Sequence, residues 1–129
     1  MTIAEVSKQY GLSADTLRYY ERIGLIPPVG RTSGGIRDYT EEDCRWIEFA
    51  KCMRSAGLAI EALAEYVSLF RQRDATIPAR KQILMEQRDQ LIQKIHEMQD
   101  TLVRLNYKIN RYEQSVLPAE RKLKKHTES

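Results

Sequence analysis

With 129 residues, the chain has room for one compact domain and an appendage, not for two full domains. Charged residues at 30%, hydrophobic ones at 42% and the lack of any apolar run of spanning length exclude an integral membrane protein. The formal net charge of +3 is too modest for bulk electrostatics alone to point to a nucleic-acid partner. Met1 leads straight into a capped helix instead of a secretory leader, and two cysteines suit a reducing compartment, so the expected location is the cytoplasm.

In chain order, Thr2-Ile3-Ala4-Glu5 is a capping box that opens a helix running to about Tyr10, with Ile3, Val6 and Tyr10 on one side. Gly11 supplies a turn, Ser13 caps a second helix over about Ala14 to Ile23, and Gly24 ends it. Two short helices joined through a glycine turn are the signature of a helix-turn-helix. The second helix of such a motif enters the major groove of duplex DNA by its N-terminal part. Here it carries Thr16-Leu17-Arg18-Tyr19-Tyr20-Glu21: a guanidinium for guanine or phosphate, and phenol hydroxyls for phosphate oxygens.

Pro27-Pro28 forbids helix, and the turn-rich stretch from Gly30 to Gly35 leads into Gly34-Gly35-Ile36-Arg37-Asp38-Tyr39, the return strand of a small hairpin. Two-residue alternation puts Arg37 and Tyr39 on one face of that wing, within reach of the sugar-phosphate backbone. Thr40-Glu41-Glu42-Asp43 caps a third helix to about Ala56, Gly57 ends it, and a fourth helix covers about Ile60 to Phe70. Residues 1–57 hold eight basic and eight acidic side chains, so DNA binding requires the basic groups to gather on one face.

From Thr76 the sequence is helical for about forty residues, with Pro78 in the first turn where its missing amide costs nothing. Ile77, Leu84, Leu91, Met98, Leu105 and Tyr112 recur every seven residues, and Ile95, Leu102, Ile109 and Val116 form the companion row. These rows make a coiled-coil seam on a helix of about 60 Å. Its apolar surface demands a partner helix, hence a homodimer with two recognition helices at a fixed separation and a pseudo-palindromic operator in double-stranded promoter DNA. Lys81 and Arg88 interrupt the companion row; they either snorkel at the edge of a solvated seam or face another part of the dimer. After Pro118 the basic cluster Arg121-Lys122-Leu123-Lys124-Lys125-His126 reads as a frayed, solvated tail. The resulting organisation is a DNA-binding head over 1–70, a linker over 71–76, a dimerisation helix over 77–117 and a flexible basic tail over 118–129.

The order T-L-R-Y-Y-E, G-L-I-P-P, G-I-R-D-Y and then a long helix resembles the MerR family of bacterial transcription regulators. The resemblance implies a mostly α fold: a winged helix-turn-helix head, with a second wing near Gly57, followed by a long antiparallel coiled-coil dimerisation helix. It implies DNA contacts from Thr16, Arg18, Tyr19 and Tyr20 on the recognition helix, Arg37 and Tyr39 on the wing, and Arg54 near the second wing. In that family dimers sit inside promoters whose two polymerase elements are too far apart. An effector makes the dimer twist the DNA into a shape that RNA polymerase uses. The chain departs from many relatives after the second-wing glycine, where Leu58-Ala59-Ile60-Glu61 replaces serine and acidic residues and gives the fourth helix a weaker cap.

No cofactor and no metal are expected. From Met53 onward there is no cysteine, and His96 and His126 have no second ligand at metal spacing. Cys44 and Cys52 are eight residues apart on one helix. That is about 12 Å of rise, against the roughly 7 Å limit between α-carbons for a disulfide. Each thiol acts alone. The segment around C-M-R-S-A-G-L resembles a MerR subgroup, called NmlR- or AdhR-like, that responds to aldehyde, electrophile or nitrosative stress. The resemblance implies that Cys52 is the thiol attacked by formaldehyde, methylglyoxal or a similar carbonyl. Lys51 and Arg54 do not share its helix face, whereas Glu48 does and opposes the thiolate, so activation has to come from elsewhere in the fold. The competing reading makes Cys52 a small buried apolar residue.

Three functions compete. The first is a thiol-triggered promoter regulator. The second keeps the DNA binding but places a small ligand between head and dimer helix, with Cys52 only structural. The third, a thiol enzyme or a coiled-coil adaptor, lacks any nucleophile–base pair or leaves the Arg18–Tyr20 and Arg37–Tyr39 clusters without a purpose.

Overall fold

The structure is a computed structural model that describes residues 1–128. The chain divides into two compact units, Met1–Leu91 and the remainder from Ile92 onward.

Within the first unit, local chemistry sets the helix starts. Helix α1 (Ile3–Tyr10) opens with the reciprocal box, Glu5 N donating to Thr2 Oγ1 at 3.2 Å and Thr2 N to Glu5 Oε1 at 3.0 Å. Helix α2 (Ala14–Arg22) is capped by Ser13, whose Oγ accepts from Thr16 N at 3.0 Å. Helix α3 (Glu41–Ser55) repeats the box with Thr40 and Asp43. Helix α4 (Ile60–Arg71) starts at Ala59 with no side-chain cap. The core joins Val6, Leu17, Leu25, Ile26, Tyr39, Ile47, Leu63 and Val67. Trp46 anchors its α3–α4 side, with ring centroids 4.8 Å from Phe70, 6.0 Å from Tyr66 and 6.2 Å from Phe49.

The hairpin between α2 and α3 is shorter than its sequence suggests. Only Arg31 and Arg37 form a bridge, held by Thr32 N to Ile36 O at 2.7 Å and Asp38 N to Gly30 O at 2.8 Å. The second wing follows α3 as a Schellman turn: Leu58 N bonds Met53 O at 3.0 Å and Gly57 N bonds Arg54 O at 3.0 Å. Gly57, at φ 83°, supplies the left-handed step that this turn requires.

The expected linker is an ordered connection. Arg73 adopts φ 72°, a region that costs a non-glycine residue about 1–3 kcal/mol. A 3-10 turn over Asp74–Thr76 follows, and Thr76 Oγ1 donates to Leu69 O at 2.6 Å while accepting from Arg80 Nε at 3.1 Å.

Helix α5 (Ile77–Asn110) carries the heptads but stops short of 117. Arg111 leaves helical geometry, a π-helical turn spans Tyr112–Val116, and helix α6 (Leu117–Glu128) follows. The segment expected as a frayed tail is therefore helical as far as Glu128. Pro118 fits the first turn, Glu120 meets the positive helix end, and the Lys and Arg residues are good helix formers. In the basic cluster, the side chains of Lys125 and His126 lie outside the described residues. From Ile95 to Ile109 the predicted seam residues Ile95, Met98, Leu102, Leu105 and Ile109 are 44–71% exposed, so nothing among the described residues covers them. Among the described residues no helix is long and apolar enough to cross a membrane.

Candidate nucleic-acid interface and thiol site

On α2, Leu17 and Tyr20 turn into the core, and that choice fixes what faces outward. Arg18 and Tyr19 are exposed and Thr16 is half-buried. Thr16 Oγ1 lies 2.8 Å from Ser13 Oγ. Arg18 Nη1 holds Asp15 Oδ1 at 3.0 Å in an exposed pair that a phosphate can displace at little cost. The Arg22 guanidinium stacks 5.4 Å from the Tyr19 ring centroid. Tyr20, predicted to touch DNA, is instead a core residue, because the helical period that buries Leu17 also buries the position three residues on.

The wing is tied to the recognition helix by Glu21. Its Oε1 accepts from Arg37 Nε at 2.7 Å and its Oε2 from Val29 N at 3.2 Å. Both side chains are largely buried, so the pair sets the direction from which Arg37 presents its remaining nitrogens. Sequence reasoning gave Glu21 no role, since its partners lie eight and sixteen residues away. Tyr39 departs from expectation. It is 2% exposed, its hydroxyl is buried without a partner among the described residues, and its N–H bonds Met1 O at 2.8 Å. With one bridge instead of a regular strand, alternation does not hold, and Arg37 and Tyr39 part company. Burial pushes the Tyr39 phenol above its ordinary value, keeping it neutral.

Arg54 lies in the last turn of α3, half-buried, with Nη1 donating to Leu58 O at 2.6 Å across the second-wing turn. Cys52 occupies the same turn and is exposed, whereas Cys44 is buried. Exposure overturns the reading of Cys52 as core. Its basic neighbours are engaged elsewhere: Lys51 donates to Tyr10 O, and Arg54 to Leu58 O. Cys44 lies beside Tyr10, whose phenol is raised first by burial and then by its hydrogen bond with that thiol. Among the described residues no group of three or more metal-ligating side chains converges.

At the start of α5, a cleft of about 320 Å³ opens between Tyr66 of α4 and Ile77, Arg80, Lys81 and Leu84. Lys81 lines this cleft, while Arg88 pairs with its neighbour Asp89 at 3.0 Å.

Comparison with known proteins assigns this arrangement. The MerR HTH regulatory protein family profile matches residues 1–69, and the MerR DNA-binding profile matches residues 44–107. The chain belongs to the MerR family. It is similar to the transcriptional regulator AdhR of Bacillus subtilis, 64% identical over 72% of this chain and 66% of that protein, just under two thirds of its length. A MerR family regulator from Listeria monocytogenes superposes with a TM-score of 0.86 at 48% identity, over 98% of this chain and 96% of the other. HiNmlR, a MerR family regulator lacking the sensor domain and bound to promoter DNA, superposes at 0.79 with 29% identity over 90% and 92%. This MerR regulator therefore shares the AdhR/NmlR-like subgroup's head and long helix, and its relatives regulate transcription instead of catalysing reactions.

Glu21→Ala is expected to lower the stability of the head by about 1–3 kcal/mol, because Arg37 and the Val29 amide lose a shared, largely buried acceptor. Affinity for duplex operator should fall about tenfold. Thermal unfolding and fluorescence anisotropy measure the two effects.

Proposed function

We propose that the protein is a dimeric regulator that sits on a pseudo-palindromic promoter operator and uses Cys52 to sense a small electrophile. Each head reads DNA with Thr16, Arg18 and Tyr19 in the major groove, while Arg37 and Arg54 hold flanking phosphates from the two wings. Two heads joined through the α5 seam engage two half-sites, and the strain placed on the intervening DNA controls its use by RNA polymerase. The work takes place in the cytoplasm, on the nucleoid while DNA is bound. The likeness to HiNmlR, which was crystallised on promoter DNA, supports the first part of this reading.

The observation that carries the sensing step is where the exposed thiol stands. Cys52 lies in the last turn of α3, and its carbonyl accepts from Ala56 N at 3.1 Å, directly ahead of the Schellman turn that forms the second wing. The thiolate sulfur attacks the carbonyl carbon of an aldehyde such as formaldehyde or methylglyoxal. A C–S bond forms, the C=O π bond breaks, and the oxygen takes a proton to give a hemithioacetal without any change of oxidation state. The adduct adds bulk and a hydroxyl at the base of the wing, and the wing's position on DNA shifts. The similarity to AdhR supports this assignment.

The test uses the full chain and duplex from its own upstream region. Preference for that duplex over a shuffled one, together with an aldehyde adduct mapped to Cys52 and not to Cys44, is the expected result. Equal binding to both duplexes removes the promoter reading. An adduct-free Cys52 favours the second reading, in which a small ligand fills the cleft beside Tyr66 and Leu84.

A further inference from the structure

Among the described residues, Gln87 is the only buried polar or charged one, at 8% exposure. It lies on α5, about three turns beyond the helix start. Its Oε1 accepts from the backbone N–H of Ala59 at 3.3 Å, across twenty-eight residues of sequence. Ala59 is the N-cap position of α4, and it has no side-chain acceptor of its own. The dimerisation helix thus reaches back to the start of the helix that follows the second wing.

The other end of that turn is held by α3. Leu58 N bonds Met53 O, Gly57 N bonds Arg54 O, and Arg54 Nη1 bonds Leu58 O. The short turn Gly57–Ala59 is therefore suspended between two supports, the last turn of α3, which carries Cys52, and Gln87 of α5.

We propose that Gln87 is a positioning residue that locks the second wing to the dimerisation helix, so that a shift at the Cys52 end of the turn and the placement of α5 are coupled through the Ala59 N–H. The coupling deepens the regulatory reading above and rests on it, but the hydrogen bond itself can be tested apart from it. The Ala59 amide, part-buried at this contact, loses its protein acceptor when Gln87 is changed, and the turn gains freedom at the point where the wing begins.

Three single variants of the full-length protein separate this role from simple packing. Gln87→Met keeps the length of the side chain and removes the acceptor. Gln87→Glu keeps an oxygen acceptor at the positive end of α4. Ala59→Pro removes the donor while leaving α5 untouched, and Ala59 already has the φ of −66° that proline imposes. Hydrogen exchange at the Leu58 and Leu63 amides should speed up about tenfold in Gln87→Met and Ala59→Pro and stay near wild type in Gln87→Glu. The ratio of induced to uninduced transcription from the upstream promoter should fall about tenfold in the same two variants, with operator affinity within about threefold of wild type.

Unchanged exchange at Leu58 and Leu63 in Gln87→Met, or an equal rise across the whole head, overturns the proposal. So does an unaltered induction ratio in a protein that binds its promoter. If the wild-type chain fails to bind its promoter, the regulatory reading falls while the exchange result still decides the contact. Should Gln87→Met fail to fold, Ala59→Pro decides the same question from the donor side.

Discussion

Leu102→Glu is expected to turn the proposed dimer into a monomer and to weaken operator binding by about a hundredfold or more. Leu102 stands 55% exposed in the row formed with Ile95, Met98, Leu105 and Ile109, apolar side chains that find no cover among the described residues. A carboxylate placed there must be desolvated if the helices are to pair, and nothing in that row offers a counter-charge. Each head alone then meets only a half-site, and the gain from holding two heads at a fixed separation is lost. Sedimentation velocity reads the mass and anisotropy the affinity. Gln93→Glu, the same charge at an exposed position two residues from both Leu91 and Ile95 and therefore off both apolar rows, should leave both as in wild type. A dimer that survives Leu102→Glu places the seam elsewhere.

Trp46→Ala has the largest expected effect on stability, about 3–5 kcal/mol. The indole touches Phe49, Tyr66 and Phe70, and so joins α3 to α4. Its removal leaves a void among rigid rings that cannot collapse to fill it. α4 should loosen before α1 and α2, whose own contacts run through Val6, Leu17 and the capping residues. Chemical denaturation measures the loss, and exchange at the Leu63 amide against that at Val6 tests the order. A cost below about 1 kcal/mol contradicts the role given to the aromatic cluster.

What could be read from the sequence was local. Thr2 with Glu5, Ser13 with Thr16, and Thr40 with Asp43 act within one turn of helix, so residue type and spacing announce the bonds that form. The glycine at 57 announced the end of α3 in the same way, because its conformation excludes most side chains, while the second wing there came from the family resemblance. The family resemblance drew on the same segment and holds.

What escaped depends on partners distant in sequence or on competition between two regular patterns. Alternation predicted Tyr39 beside Arg37, but a wing with a single bridge lets Arg37 go to Glu21 and Tyr39 into the core. Tyr20 looked as available as Tyr19 until Leu17 fixed which face of α2 is inward. Gln87 carried no signal of its own inside a heptad pattern. Its trace was indirect, in the poor capping chemistry of Leu58-Ala59-Ile60, which left a helix start in need of an acceptor. Nor did composition mark the break at Arg111, where a π-helical turn replaces an uninterrupted helix. The helicity of the basic C-terminal segment was within reach of propensity, but the end of the heptads obscured it.

The proposed switch rests on one sulfur atom. Transcription from the chain's own upstream promoter should be measured with and without formaldehyde, in wild type and in Cys52→Ala, with operator binding followed in parallel. Induction in wild type that is lost in Cys52→Ala while operator binding persists is the result expected of an exposed sensing thiol at the base of the second wing. Full induction in Cys52→Ala would contradict it.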